Sequence, residues 1–529
     1  MSTPHLRPSG AAGLVHPAVL DRRIRELLLI GLTGLIPAVI ALGITVELPN
    51  TSLLLVLAVI LVALGIVALM VSSRLEVTVA LLALYLLLLD GPVKLLIGSH
   101  ETTAAVPNLL IVAVCAGALM RLVVRRERVV LPQLSGWVLA FVGIVAIEAF
   151  NPHTEGILKI LAGLRQQLEW IPFFFFGYLL MRSKKRFRQL FLIVGVAALA
   201  NGAVAAYQTG LTPSQLASWG PGYHQLMYPT GSGTGSARAY TSEGEGRIRP
   251  MGLGSDSGFS GGVGLLALSF SLALLAAWRS RRRWLAVPLC LGALLAILTS
   301  LGRVQVISAG IAVAGFAVLA SLAGRRVTRA LGAILAVVVL AMPAGALVIS
   351  TLRPGTFSRY ESIAPSKLGA ASGYKEGARS LLQHELVANP FGVGLGTSGP
   401  SAGFGGKSSY VREEFHGITS ETQYNFLANE LGAPGVLMWL ALSVYMILFV
   451  ARGMRRVGDG ELAIILAGTF APFIGLFVAG FSGAFTVSAA SGPYFWFAIG
   501  VAAYWFAGPG RNTSLMRPVN SISTLPVGA

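Results

Sequence analysis

Charge is the scarcest ingredient of this sequence. Only 12% of its 529 residues are Asp, Glu, Lys or Arg, about half the proportion that a soluble domain carries, and that scarcity excludes a water-soluble enzyme of this length. Cysteine is almost missing. Cys115 and Cys290 both lie inside apolar runs, so there is no disulfide framework. Acidic residues number 22 against 40 basic ones. No His, Cys and carboxylate residues occur at metal-ligand spacing, so neither a metal nor another cofactor is expected. The sequence also lacks an internal repeat, and it lacks the small-x-small exit of a cleavable secretion signal after its first apolar run.

Apolar sequence is abundant: 54% of residues are hydrophobic and the mean hydropathy is +0.73. Runs fall near 27–46, 53–71, 77–97, 106–124, 134–150, 160–181 and 189–207, and again near 257–278, 284–301, 304–323, 331–350, 433–451, 462–481 and 490–507. A spanning helix needs about 20 apolar residues, which predicts an all-α polytopic membrane protein with about fourteen transmembrane helices. Every second connection is basic, as in Arg121–Arg128, Arg182–Arg188, Arg279–Arg283 and Arg452–Arg456, and that side carries 26 of the 40 cations. By the positive-inside rule the basic side and both termini are cytoplasmic. The net charge of +18 therefore reads as a topology signal, and no nucleic-acid partner is expected.

The expected organisation is a cytoplasmic tail (1–26), seven helices (27–207), an extracytoplasmic loop (208–256), four helices (257–350), a large extracytoplasmic loop (351–431), three helices (432–507) and a second cytoplasmic tail (508–529). Loops as long as these two are functional or disordered. The second has a helical pattern at Glu376–Val387, then the glycine-rich run Asn389–Gly396. Pro434 disfavours helix at Ala433, so a helix over Thr422–Leu431 should bend there into the span that follows. A nucleotide-loop reading of Gly405-Gly406-Lys407-Ser408 fails, because the position five before Gly406 is Ser401 and no strand precedes it.

Charged residues at membrane depth are costly and mark functional sites. Arg165 lies 17 residues before Arg182 and Arg303 lies 22 before Arg325, about 25 Å and about 33 Å along a helix. Both fall at the outer surface, where two guanidinium forks could clamp a diphosphate. The competing reading pairs Arg165 with Glu169, one turn on, and lets Arg303 reach back to the interface. Lys159 is expected to be an interfacial anchor. Lys375 and Arg379 fall one turn apart in the large loop. Glu421 and His416 sit above the outer surface, where either could take a proton from a sugar hydroxyl.

These segments resemble the O-antigen ligase and polysaccharide polymerase family over about Arg74 to Tyr504. The resemblance rests on Asn151-Pro152 with Gly163-Leu164-Arg165 and Pro172–Phe175, on Arg249-Pro250-Met251-Gly252, on Leu298–Arg303, on Asn389–Gly396, and on Asn429–Gly435. It implies a GT-C-like membrane glycosyltransferase of the bacterial cytoplasmic (inner) membrane that uses neither metal nor nucleotide sugar. Such an enzyme moves a glycan from an undecaprenyl-diphosphate-linked donor to a glycan or lipid-linked acceptor at the outer face. It implies other polysaccharide-assembly proteins as partners. Under it Arg303 takes a pyrophosphate-binding position and Lys375 with Arg379 the place of a second loop arginine. The family's histidine is replaced by Glu421, nine residues plus Thr422 before Gly432, which favours polymerase over ligase. The expected site is Glu421, Arg303 and Arg379 as catalytic residues, with Arg165, Lys375, Arg249, Arg412 and His416 binding substrate and Arg247 beside them. A transporter or flippase of lipid-linked glycans is the alternative, and a scaffold for polysaccharide assembly a third reading.

Overall fold

The computed structural model describes residues 75–97, 100–125, 131–154, 156–228, 239–242, 245–256, 258–278, 281–324, 332, 382–399, 401 and 422–512. The chain divides into two units, residues 1–78 with 108–128 and residues 79–107 with 129–529. In the first, the described residues are helical and include most of the apolar stretch Val106–Leu119. The rest of this description concerns the second unit.

That unit is built of helices with a single short hairpin. The first span, Leu75–Leu96, is α1 (Leu75–Leu84), a π-helical turn at Tyr85–Leu89, and α2 (Asp90–Ile97). Next come α3 (His100–Arg125), which from Asn108 on belongs to the first unit, as does Leu75–Thr78 of α1, then α4 (Ser135–Glu148), α5 (Ile157–Leu168), α6 (Pro172–Leu180) and α7 (Lys184–Gln208). The expected loop after α7 holds two short helices, α8 (Pro213–Ala217) and α9 (Pro221–Met227). It also holds the antiparallel pair β1 (Ala239–Ser242) and β2 (Glu245–Ile248), with Tyr240 opposite Arg247. Then follow α10 (Phe259–Ala277), α11 (Ala286–Thr299), α12 (Arg303–Leu322), α13 (Gln423–Met454), α14 (Gly460–Ala479) and α15 (Gly492–Ala502).

Six of the described helical segments are long and apolar enough to cross a membrane, as expected of a polytopic membrane protein. In α10 and α14, 83% of the central residues are buried, against 44% in α7 and α12, so α10 and α14 form the interior and the other two face outward. Without a hydrophobic drive between helices in lipid, close approach depends on small residues at the crossings. A methyl group on Gly264 would come 2.8 Å from the carbonyl of Ala293, on Gly202 2.7 Å from that of Gly292, and on Gly475 2.6 Å from that of Ser308.

Two ends of the bundle are defined by their polar ties. At one, Lys184 pairs with Asp459 at 2.8 Å and Glu461 at 3.2 Å, and Arg188 with Glu461, joining the starts of α7 and α14. At the other, Gln208 at the end of α7 binds the chain entering α10, and the Gln423 N–H donates to the carbonyl of Gly480 at 3.0 Å. The starts of α10, α12 and α13 therefore gather at the end opposite Lys184.

The structure corrects two expectations. The run at 160–181 is not one helix. It breaks at Glu169–Ile171 into α5 and α6, because Pro172 has no N–H to continue the ladder and opens a new helix as its first residue. Lys159 is not an interfacial anchor but 2% exposed, on the face of α5 that carries Gln166 and Gln167. The expected runs near 27–46, 53–71 and, apart from Gly332, 331–350 lie outside the described residues.

Candidate functional site

α5 is amphipathic in the inverse sense. Ile157, Leu158 and Leu161 are exposed, while Lys159, Gly163, Gln166 and Gln167 are buried. The buried face exists to receive the glycine-rich strap at residues 389–401. Gly392, Gly394, Gly396 and Gly399 all have positive φ, a conformation open to glycine without Cβ strain, and the strap thereby folds back on itself.

The strap is tied on three sides. The Val393 N–H donates to the Asn429 carbonyl at 2.7 Å, and the Ala433 N–H to the Pro390 carbonyl at 2.8 Å. Asn151 Nδ2 donates to the Gly392 carbonyl at 3.2 Å. A methyl on Gly163 would lie 2.5 Å from the backbone nitrogen of Gly396. At the centre is Glu430, fully buried. Its Oε1 accepts from Gln166 Nε2 at 3.2 Å and from the Ser398 N–H at 3.1 Å, and its Oε2 from Gln167 Nε2 at 2.8 Å. The Gly396 N–H also donates to it. A carboxylate suits this place because it is acceptor-only and can satisfy several donors at once. Two residues later Gly432, with φ 61° and ψ −159°, interrupts the helix, so α13 bends where the sequence predicted.

A second lock holds the Arg249–Gly252 segment. Gln208 Oε1 accepts from the Met251 and Gly252 N–H groups at 3.0 and 2.9 Å, and its Nε2 donates to the Gly252 carbonyl at 3.0 Å. Asn201 accepts from the Leu253 N–H at 2.9 Å and donates to the Leu87 carbonyl at 3.0 Å. Arg249 is half-buried at the start of this segment.

Arg303 is the first residue of α12, half-buried after a sharp turn. That turn contains Leu301, the one described non-glycine residue with positive φ (51°). Such strained conformations persist where surrounding structure over-determines them and cluster at functional sites. Two residues on, Gln305 flanks Gly258 together with Asp256: a methyl on Gly258 would lie 3.1 Å from Gln305 Nε2 and 3.2 Å from Asp256 Oδ1.

Arg165 meets Glu169 across one turn, Nε to Oε2 at 3.7 Å, with the two side chains 39% and 14% exposed. Glu169 is also within electrostatic reach of Lys94 and Asp90, and Asp90 within reach of Asp256. Lys94 Nζ donates to Asp90 Oδ2 at 2.7 Å. α5 and α2 thus each carry a one-turn ion pair.

Of the expected site residues, Arg165, Arg249 and Arg303 are placed at this one end of the bundle. Arg247 lies on β2. Glu421, Arg379, Lys375, Arg412 and His416 lie outside the described residues. Sequence reasoning passed over Asp90, Lys94 and Glu430, although an Asp inside a long apolar run is itself the signal for the first two. Glu430 gave a weaker signal, one carboxylate in a helix whose other charge is Arg452 in its last turn. Among the described residues, no group of three His, Cys, Asp or Glu could hold a metal ion. No protein-family model matches the chain, and no curated protein matches it.

Proposed function

We propose that the chain is a membrane glycosyltransferase that polymerises or ligates a lipid-diphosphate-linked glycan at the outer face of a bacterial cytoplasmic membrane, polymerisation being favoured. One observation supports this reading most. Three segments that carry the family resemblance meet in one knot: Asn151 binds Gly392, Gly163 abuts Gly396, and Asn429 and Ala433 bind Val393 and Pro390. The strap lies within the expected catalytic loop and the start of α13 closes it. The knot therefore ties that loop to the helix bearing Arg165.

In this reading Arg303 and Arg165 are the diphosphate ligands, with Arg379 or Lys375 closing from the loop. Held by cations, the diphosphate leaves with the bonding electron pair as the acceptor oxygen attacks the anomeric carbon. Glu421 receives the acceptor's hydroxyl proton, and orientation of that hydroxyl supplies much of the rate. About fourteen spans with cytoplasmic termini, and a GT-C-like arrangement, belong to the same reading.

The test is transfer by the purified chain in lipid, with an undecaprenyl-diphosphate-linked oligosaccharide and no ion gradient. Longer or transferred glycan is the expected product. Translocation of the donor across the bilayer without any new glycosidic bond would establish the transporter reading in its place.

A further inference from the structure

We propose that Gln305 is the positioning residue of Arg303: its side chain folds back over the turn at Leu301–Gly302, seats that turn on the start of α10, and so fixes where the Arg303 guanidinium is presented. This role rests on the reading of Arg303 as a diphosphate ligand. The local sequence provides for the fold-back. Gly302 is the N-cap of α12, with extended backbone (φ −93°, ψ 111°), and its carbonyl accepts from the Val306 N–H at 3.3 Å. Arg303 is then the first residue of the helix and Gln305 the third, the place from which a glutamine side chain reaches back toward the N-cap. Here it lies directly against Gly302, where a methyl group would collide with Gln305 Oε1. Ser300 supports the same turn, its Oγ donating to the Ile297 carbonyl at 2.7 Å and accepting from the Gly302 N–H at 3.3 Å.

The same side chain meets α10. A methyl on Gly261 would lie 2.6 Å from Gln305 Cγ and 2.7 Å from Ser300 Oγ, and one on Gly258 would lie 3.1 Å from Gln305 Nε2. Three glycines from two segments thus leave their Cβ space to one glutamine and its neighbouring serine. The start of α10 is itself anchored. Ser260 Oγ donates to the Ala296 carbonyl at 3.2 Å, and a methyl on Gly252 would lie 3.0 Å from Ser260 Cβ. Gln208 and Asn201 hold the N–H groups of Met251, Gly252 and Leu253. Gln305 therefore ties the turn that carries Arg303 to the locked segment that begins at Arg249, the other cation expected there.

Ordinary packing does not account for the arrangement. Gln305 Oε1 is buried with no hydrogen-bond partner, a state that costs stability, so an apolar side chain would serve a merely structural purpose better. Leu301, on the other flank of Gly302, is held at φ 51°, a strain that persists only where neighbours over-determine the backbone. Gln305 lying against Gly302, with Ser300 bonded beneath, supplies that constraint. The precision matters for a ligand-binding cation, because about 1 Å of misplacement can cost about a hundredfold. Gln305 makes this contribution through its shape and acts on the ligand only by way of Arg303.

The test is a double-mutant cycle on the full-length protein, read as affinity for undecaprenyl diphosphate by native mass spectrometry. Gln305→Ala should weaken binding about ten- to a hundredfold, and Arg303→Ala should weaken it as well. In the Arg303→Ala background, Gln305→Ala should change affinity by less than about twofold, because a positioning residue acts through the group that it positions. Gln305→Met keeps the length and bulk of the side chain without its amide, and should hold binding within about threefold of wild type. Equal losses from Gln305→Ala in both backgrounds, wild-type affinity of Gln305→Ala, or a loss in Gln305→Met as large as in Gln305→Ala would each overturn the role of Gln305 and leave Arg303 as a ligand. Wild-type protein that does not bind the diphosphate, or an Arg303→Ala variant that binds it as tightly as wild type, overturns the diphosphate reading itself and the role of Gln305 with it.

Discussion

Arg303 and Asp459 show how differently a charged side chain acts at the two ends of this bundle. Arg303 begins α12 after the strained turn at Leu301, with a planar fork that a lysine cannot reproduce. Arg303→Lys should therefore impair transfer and Arg303→Ala should nearly abolish it, measured as product per correctly inserted protein. Wild-type rates in the alanine variant would remove Arg303 from the site. Glu421→Gln should lower turnover far more than donor affinity, and an unchanged rate from pH 6 to 8 would exclude it as the base. Asp459, by contrast, has a structural task. Partial burial alone would push its carboxyl up, but the Lys184 ammonium and the N–H groups of Leu462 and Glu461 outweigh that and hold it below the usual carboxylate range. A depressed pKa contributes stability above the unfolded value, near 4, that is lost as pH falls through the folded value. Asp459→Asn should flatten the decline in melting temperature on the acid side in detergent; an unaltered acid limb would contradict this.

At the scale of elements, the strap, α5 and the first turns of α13 stand or fall together. Glu430→Leu would leave the amides of Gln166 and Gln167 and the Ser398 N–H buried without an acceptor, at about 1–3 kcal/mol each. A large fall in melting temperature is expected, with a smaller one for Glu430→Gln, which keeps one acceptor oxygen. Equal melting of both variants and wild type would show that the knot carries little stability. Gly432→Ala adds strain of a different kind, since φ is positive there and the backbones of Pro390 to Gly392 crowd the place of a methyl group. That variant should loosen the bend and raise protease sensitivity on the loop side of α13.

At the largest scale, the Lys184–Asp459 tie and the Gln208–Gly252 lock define opposite ends, and the proposed topology has the first of these inside. Cysteines engineered at Ser232 and Gly403 should react with an impermeant maleimide on intact cells, and cysteines at Lys185 and Arg455 should not. External labelling at Lys185 would invert the topology and take the proposed site off the outer face.

Much of this was legible in the chain alone. Apolar runs located the six described helices long enough to span, because a helix crossing a bilayer must be apolar along its length, and Pro434 announced the bend in α13. Charge asymmetry predicted which ends lie together. Hydropathy could not show that Lys159 is buried, nor that Glu430 is, since the side-chain amides that donate to it, Gln166 and Gln167, lie 264 and 263 residues away. Local sequence determined membrane character and the positions of helices, which depend on solvent and periodicity. Only the tertiary structure decided that Gln166, Gln167 and Ser398 converge on Glu430 and that Gln208 holds Met251 and Gly252, because long-range polar pairing depends on which helices touch, and no short-range pattern encodes that.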